Sequence, residues 1–251
     1  MRELRRTTCP ECSVGRRPGV RRLAAMLTTL AIVCLGNAGA SASGGGTAAS
    51  DDLLDFFDQI ALRQQTPIIG VRPRWVRRWT GPVSVTLSGQ PPAGFRAALT
   101  RSLTTISRWT GRRFTLVAHA GWGARLQIRI VPHAEMRARY GPEGHVCTAI
   151  TYGRGGRLRL GRIEISDRYT DCLDHELMHA LGFDGHWHAR STRTTMRSVL
   201  ALRYAPGRAF RFTRYDEMAI RALYHPQLVS GMPRDNALAR IRRFLRSHPK
   251  L

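Results

Sequence analysis

The chain has 251 residues, of which 40 are Lys or Arg and 17 are Asp or Glu, so its formal net charge is +23. This charge favours anionic partners, such as acidic peptides, an anionic surface or an anionic polymer, and makes their association sensitive to salt. The basic residues are nevertheless spread along the whole chain, and no nucleic-acid-binding motif accompanies them. We therefore expect no specific binding of nucleic acid, and we expect a monomer.

Residues 1–40 are predicted to form a signal peptide. A basic region with Arg16, Arg17, Arg21 and Arg22 precedes an apolar run from Leu23 to Leu35, and Ala38-Gly39-Ala40 or Ala40-Ser41-Ala42 fits a cleavage site. The apolar run is too short to span a bilayer comfortably. A lipoprotein anchor at Cys34 is disfavoured because Val33 stands where a small residue is expected. The sequence predicts a secreted or periplasmic protein.

The cysteines outside the signal peptide are Cys147 and Cys172. Two cysteines in an exported protein are typical of one disulfide. We expect a bridge between Cys147 and Cys172, with two free buried thiols as the alternative.

The remaining chain is predicted to form one α+β domain, residues 51–251, after a flexible leader at 41–50 that contains only Gly, Ala, Ser and Thr. A short helix comes first, with Leu53, Phe56 and Ile60 on its apolar face. Apolar periodicity then predicts strands and helices in alternation. In chain order these are a strand at 83–87, a helix at 93–109, strands at 114–118, 126–131, 146–152 and 158–165, a helix at about 170–182, and C-terminal helices at 213–224 and 233–246, which together span about 213–246.

The most informative pattern in the chain is His-Glu-Leu-Met-His at 175–179. On a helix, His175 and His179 lie one above the other, at a separation that a single tetrahedral Zn²⁺ bridges. Glu176 is well placed to hold and deprotonate a metal-bound water. The pattern predicts metal-assisted hydrolysis, most often of a peptide bond. The alternative is an ordinary helix that carries two histidines.

With Gly182, these residues resemble the metzincin zinc proteases, whose pattern is His-Glu-x-x-His-x-x-Gly-x-x-His. The third histidine would fall at 185, where this chain has Gly185, and His186 follows. A glycine can take up one inserted residue through a left-handed or bulged conformation. We expect His186 to be the third zinc ligand, with His188 and Asp184 as alternatives. An acidic third ligand from Asp216 or Glu217, as in gluzincins, is a further alternative.

The metzincin resemblance implies a zincin-like single domain with a mixed, mostly antiparallel-edged sheet, an active-site helix and C-terminal helices. It also implies a Met-turn, which we expect at Met196, beneath the zinc site. Substrate would pair as an extra strand with a sheet edge, either 146–152 or 158–165, although an Arg-rich edge also prevents aggregation. Tyr204 and Tyr215 are candidates to assist the oxyanion, and packing in the core is the simpler interpretation of each.

A second resemblance covers more of the C-terminal half. The segments Cys172-Leu173, 212–216, 222–226 and 231–233 resemble the DUF2927 family of bacterial secreted proteins of unknown function. Many members of that family have Glu-Glu and Gln in place of His175, Glu176 and His179. The resemblance therefore implies that the fold exists without metal, and that this chain is an enzymatic version or a close relative.

These observations together predict a secreted zinc-dependent endopeptidase that acts on protein or peptide substrates. Two other classes of function remain open. One is a non-catalytic envelope protein that uses the same fold for binding or structure. The other is a binder of anionic polymers, for which the positive charge would be the function.

Overall fold

The structure is a computed structural model, and it describes residues 45–63, 75–118, 124–141, 147–187, 197–201 and 211–247. The predicted signal peptide, His188, Met196 and Tyr204 lie outside the described residues. Within the described part, no helix is both long enough and apolar enough to span a membrane.

The described helices number six, with two short turns of other helical types. A π-helical turn, Asp58–Leu62, directly continues α1, and a 3₁₀ turn, Thr170–Cys172, directly precedes α4. The α-helices are α1 (Gly45–Phe57), α2 (Phe95–Thr110), α3 (His133–Tyr140), α4 (Leu173–Leu181), α5 (Arg214–Leu223) and α6 (Arg234–Ser247). Helix α1 begins within the segment that we expected to be a flexible leader, and the sequence analysis did not predict α3.

Five strands form one mixed sheet in the order β2-β1-β3-β5-β4. Three neighbouring pairs are parallel, and only β4 and β5 pair antiparallel, through a hairpin that turns at Gly155 and Gly156. The strands are β1 (Val83–Ser88), β2 (Phe114–Leu116), β3 (Leu126–Val131), β4 (Cys147–Arg154) and β5 (Arg157–Ser166). The α+β class and the mixed sheet are therefore confirmed.

The prediction that the edge strands of the sheet are mostly antiparallel is correct for one edge only. Strand β4 is an antiparallel edge, whereas β2 at the other edge is parallel to β1. Strands β1 and β2 are parallel because α2 connects them, and a helical crossover lets the second strand run in the same direction as the first. Of the two candidate edges for substrate, β4 is the edge and β5 lies inside the sheet.

Helix α4 is held in place from several directions. It packs against β4 and β5, and the indole Nε1 of Trp79 donates a 2.8 Å hydrogen bond to the carbonyl of Ala180. The expected Cys147–Cys172 disulfide is confirmed, with 6.7 Å between the two Cα atoms. It joins the start of β4 to the turn before α4, so the helix is tied to the edge of the sheet at its N-terminal end.

Candidate metal centre

Helix α4 places His175 and His179 one turn apart on the same face, as the sequence predicts. The helix ends at Gly182, whose φ of 114° is favourable only for glycine. A Cβ at Gly182 would also lie 2.2 Å from the carbonyl oxygen of Arg77. Thr170 and Asp171 lie in the 3₁₀ turn, and Cys172 precedes the helix without a side-chain cap hydrogen bond.

The side chain of His186 completes a group of three imidazoles. The Nε2 atoms of His175 and His179 are 3.2 Å apart, and His186 Nε2 lies 3.3 Å from each of them. The three side chains are buried, with 7%, 7% and 9% of their residue surface exposed. We call these three residues the histidine cluster.

Two backbone carbonyls fix the tautomers of the helical histidines. The Nδ1–H of His175 donates to the carbonyl of Val199 at 2.7 Å, and that of His179 donates to the carbonyl of Phe183 at 2.6 Å. The Nε2 lone pairs then point toward the shared centre. Burial lowers the pKa of His175 to about 3 and that of His179 to about 4, so both imidazoles are neutral at physiological pH.

The spacing of the three nitrogens fits a tetrahedral metal ion. Zinc–nitrogen bonds of about 2.0–2.1 Å at tetrahedral angles place neighbouring ligand atoms about 3.3–3.4 Å apart. The observed separations are 3.2 and 3.3 Å. Among the residues that the structure describes, the histidine cluster is the one such group that could hold a metal ion. Three imidazoles suit zinc, and they leave a fourth position for water or substrate.

The acidic alternatives for the third ligand have other partners. Asp184 pairs with the guanidinium of Arg77, and Glu217 accepts a 2.8 Å hydrogen bond from Arg221 on its own helix. Asp216 is fully buried against Ser198 and Thr213. These residues were candidates because of their chemistry, but the fold directs each carboxylate to another partner. His188 cannot be placed, because it lies outside the described residues.

Gly185 accommodates the inserted residue, but not in the way the sequence suggested. Its φ is not in the left-handed region, and it begins no bulge. Instead a Cβ at Gly185 would lie 2.1 Å from the carbonyl oxygen of Gln59. The glycine is therefore required for close approach of two backbones.

Glu176 is buried on the same helix, and its Oε1 lies 4.0 Å from His175 Nε2. The carboxylate therefore reaches the side of the cluster on which the nitrogen lone pairs converge. That is the position needed to accept a proton from a water held at the centre. Tyr215, the candidate helper on α5, is partly buried against the hydrophobic core.

Residues 197–201, which directly follow Met196, form a short turn that we call the support turn, and the sequence did not predict its bond to His175. Its Val199 carbonyl binds His175, while the Val199 N–H donates to Asp216 Oδ2 at 3.2 Å. Ser198 Oγ donates to Asp216 Oδ1 at 2.6 Å. Thr213 and Asp216 also form a capping box at the start of α5. The Thr-x-x-Asp spacing was the available signal for Asp216.

Comparison with models of protein families finds no match to this chain, and comparison with curated proteins finds none either.

Proposed function

We propose that this chain is a secreted zinc-dependent endopeptidase. The observation that carries the proposal is the triangle of three Nε2 atoms, with sides of 3.2 and 3.3 Å, beside the buried carboxylate of Glu176. The nitrogens match the ligand spacing of tetrahedral zinc, and the carboxylate matches the base that hydrolysis requires. The Cys147–Cys172 disulfide supports export to an oxidising compartment.

Zinc bound at the histidine cluster would polarise a peptide carbonyl and make a water more acidic. His175, His179 and His186 would hold the ion as neutral ligands, since burial keeps the first two unprotonated. Glu176 would accept a proton from the attacking water and then donate it to the nitrogen of the leaving amine. The water oxygen would bond to the carbonyl carbon first, and the scissile C–N bond would break once its nitrogen has received the proton. The products would be a carboxylate and a protonated amine, to which both protons of the water have passed.

Strand β4 supports a peptide as the substrate. Among the described strands it lies at the edge of the sheet and pairs only with β5, which is the position at which an extended chain can add as a further strand. Helix α4 packs against β4, and the disulfide joins the start of that strand to the turn before α4. A peptide added along β4 would therefore lie against the element that carries the histidines.

The metzincin resemblance of the motif is consistent with the arrangement of elements. The strands precede α4, the edge strand next to the helix is antiparallel, and two helices follow the support turn. The third histidine follows Gly182 one residue later than in that family's pattern. His186 nevertheless joins the cluster, so the displacement does not weaken the proposal.

The experiment that tests the function measures chelator-sensitive cleavage of casein or a peptide library by the purified full-length chain. Wild-type protein is expected to cleave, to lose activity with a chelator and to regain it with zinc. Glu176→Gln should retain zinc but lower kcat/KM by about 100-fold to 10,000-fold, the usual contribution of a general base. Glu217→Gln, a partly exposed carboxylate on α5, is the matched control and should retain full activity.

Two results would refute the proposal. One is cleavage that persists equally in Glu176→Gln. The other is wild-type protein that holds zinc and cleaves no peptide, which would favour a non-catalytic binding protein.

A further inference from the structure

The loop that carries His186 contacts the N-terminal part of the domain. This loop, residues 183–187, is called here the ligand loop. Every second residue of the loop, at positions 183, 185 and 187, contacts α1 or the π turn. Of the two residues between them, His186 joins the histidine cluster and Asp184 pairs with Arg77.

The closest contact is between backbones. The N–H of Gly185 donates a 2.9 Å hydrogen bond to the carbonyl of Ile60, within the π turn. No side chain fits at position 185, because a Cβ there would lie 2.1 Å from the carbonyl oxygen of Gln59 and 3.2 Å from Ile60 Cα. The π turn thus fixes the backbone immediately before His186. Turns of this type occur frequently at functional sites.

Two aromatic pairs hold the loop on either side of Gly185. The rings of Phe57 and Phe183 meet edge to face with 6.3 Å between centroids, and those of Phe56 and Trp187 do so at 5.4 Å. Phe56, Phe57 and Phe183 are almost completely buried. Such pairs add about 0.5–1.5 kcal/mol each beyond the burial of their surfaces.

The ligand loop is also linked to the other two histidines, directly to His179 and through the support turn to His175. The carbonyl of Phe183 accepts the hydrogen bond from His179 Nδ1. The N–H of Trp187 donates to the carbonyl of Leu200 at 2.8 Å, next to the Val199 carbonyl that binds His175. A shift of the ligand loop would therefore disturb the orientation of all three imidazoles.

The π turn is in turn anchored to the C-terminal helix. Arg234 at the start of α6 donates from Nε and from one terminal nitrogen to the two carboxylate oxygens of Asp58, each at 2.7 Å. Asp58 is buried, and this bidentate pair joins the two ends of the described chain. The π turn is thus bonded both to the ligand loop and to α6.

We infer that α1 and the π turn are part of the metal centre, with Phe57, the Gln59–Ile60 backbone and Gly185 as positioning residues for His186 and His179. The inference rests on the proposed function, because it concerns the same metal site. It adds that a segment more than 100 positions from the zinc motif sets the affinity for metal. Loss of an outer support of this kind costs about 10–100-fold in metal affinity.

The test compares two glycine substitutions in the full-length chain. Gly185→Ala places a Cβ against the Gln59 carbonyl, and Gly153→Ala places one 2.1 Å from the carbonyl of Arg157 in the β4–β5 hairpin. The two substitutions thus create equal backbone clashes, and only the first lies at the ligand loop. Zinc dissociation constants are measured by competition with a chromophoric chelator. Gly185→Ala is expected to weaken zinc binding about 10–100-fold, and Gly153→Ala to leave it within about 3-fold of wild type.

A second pair of substitutions, which make a buried side chain smaller without a backbone clash, tests the same point if the alanine variants fail to fold. Phe57→Leu removes the ring that meets Phe183, and Phe95→Leu makes the same change at another buried position on α2. Phe57→Leu should weaken zinc binding by several-fold more than Phe95→Leu at equal loss of thermal stability.

The outcomes separate this inference from the proposed function. If Gly185→Ala binds zinc as tightly as Gly153→Ala, and Phe57→Leu as tightly as Phe95→Leu, the inference about the π turn is overturned. The proposed function is not affected by that result. Wild-type protein that binds no zinc overturns both. Wild-type protein that binds zinc without cleaving peptides overturns the peptidase, and the affinities of the variants still decide the role of the π turn.

Discussion

His186 is the one imidazole of the cluster that α4 does not supply, so the ligand assignment depends on it most. Its Nε2 lies 3.3 Å from those of His175 and His179. Replacing it with alanine leaves two imidazoles, which hold zinc less firmly than three. We predict that His186→Ala weakens zinc binding by more than the 10–100-fold typical of an outer-shell loss, measured by chelator competition. His133→Ala, at the start of α3, is the control and should bind zinc like wild type.

A buried carboxylate in the sheet gives a pH-dependent prediction. Burial of Glu164 on β5 would raise its pKa, but hydrogen bonds from Arg139 and Tyr140 and the charge of Arg162 bring that pKa below its ordinary value of 4.5. Because the folded pKa is lowered, the ionised group stabilises the fold above about pH 4.5. That contribution is lost as the pH falls through the folded value.

Glu164→Gln should therefore lower the free energy of unfolding at pH 7 and lower it less at pH 3.5. Urea unfolding at the two pH values measures the difference. An identical loss at both would show that the carboxylate contributes through its shape alone.

At the scale of elements, Asp216 on α5 is bonded to two residues of the support turn. Asp216 accepts hydrogen bonds from Ser198 Oγ, from Val199 N–H and from Thr213 N–H. Asp216→Asn replaces one acceptor oxygen by a donor that faces other donors. We expect a loss of about 1–3 kcal/mol in the free energy of unfolding, with weaker zinc binding because Val199 orients His175.

The control for this prediction is Glu217→Gln, the neighbouring residue on the same helix, whose carboxylate binds only Arg221 among the described residues. It should change stability by less than about 0.5 kcal/mol. Equal effects of the two substitutions would argue against a special role for Asp216.

The disulfide is the second link between elements near the cluster. It closes a loop with a sequence separation of 25, for which chain entropy gives a stabilisation of about 3.5 kcal/mol. Replacing both Cys147 and Cys172 by serine should lower the free energy of unfolding by about that amount in urea titrations. A loss below about 1 kcal/mol would mean that the bridge adds little to the packing of α4 on β4.

At the scale of the whole molecule, the structural features that depend only on the local sequence pattern could be predicted from the sequence. The helix with its histidines, the five strands and the Cys147–Cys172 pair follow from periodicity, spacing and cysteine count. Helix α3 was missed because its sequence has only one buried apolar residue, Met136, and so no apolar periodicity.

The contacts that complete the site were not predictable, because they join residues far apart in the chain. The approach of Gly185 to the Gln59 carbonyl, and the bond from Asp216 to Val199, follow from tertiary packing alone. The sequence predicts a left-handed or bulged backbone at Gly185, but its φ is not in the left-handed region. In the structure, a glycine is needed at 185 because the backbone of the π turn lies against it.

The proposed function requires that His175, His179 and His186 bind one zinc ion together. X-ray absorption at the zinc edge, on full-length protein loaded with one equivalent of zinc, tests it most directly. We expect four light ligand atoms at about 2.0–2.1 Å, with the scattering signature of three imidazoles. Two imidazoles or fewer, a sulfur ligand, or a six-coordinate shell of oxygens would contradict it.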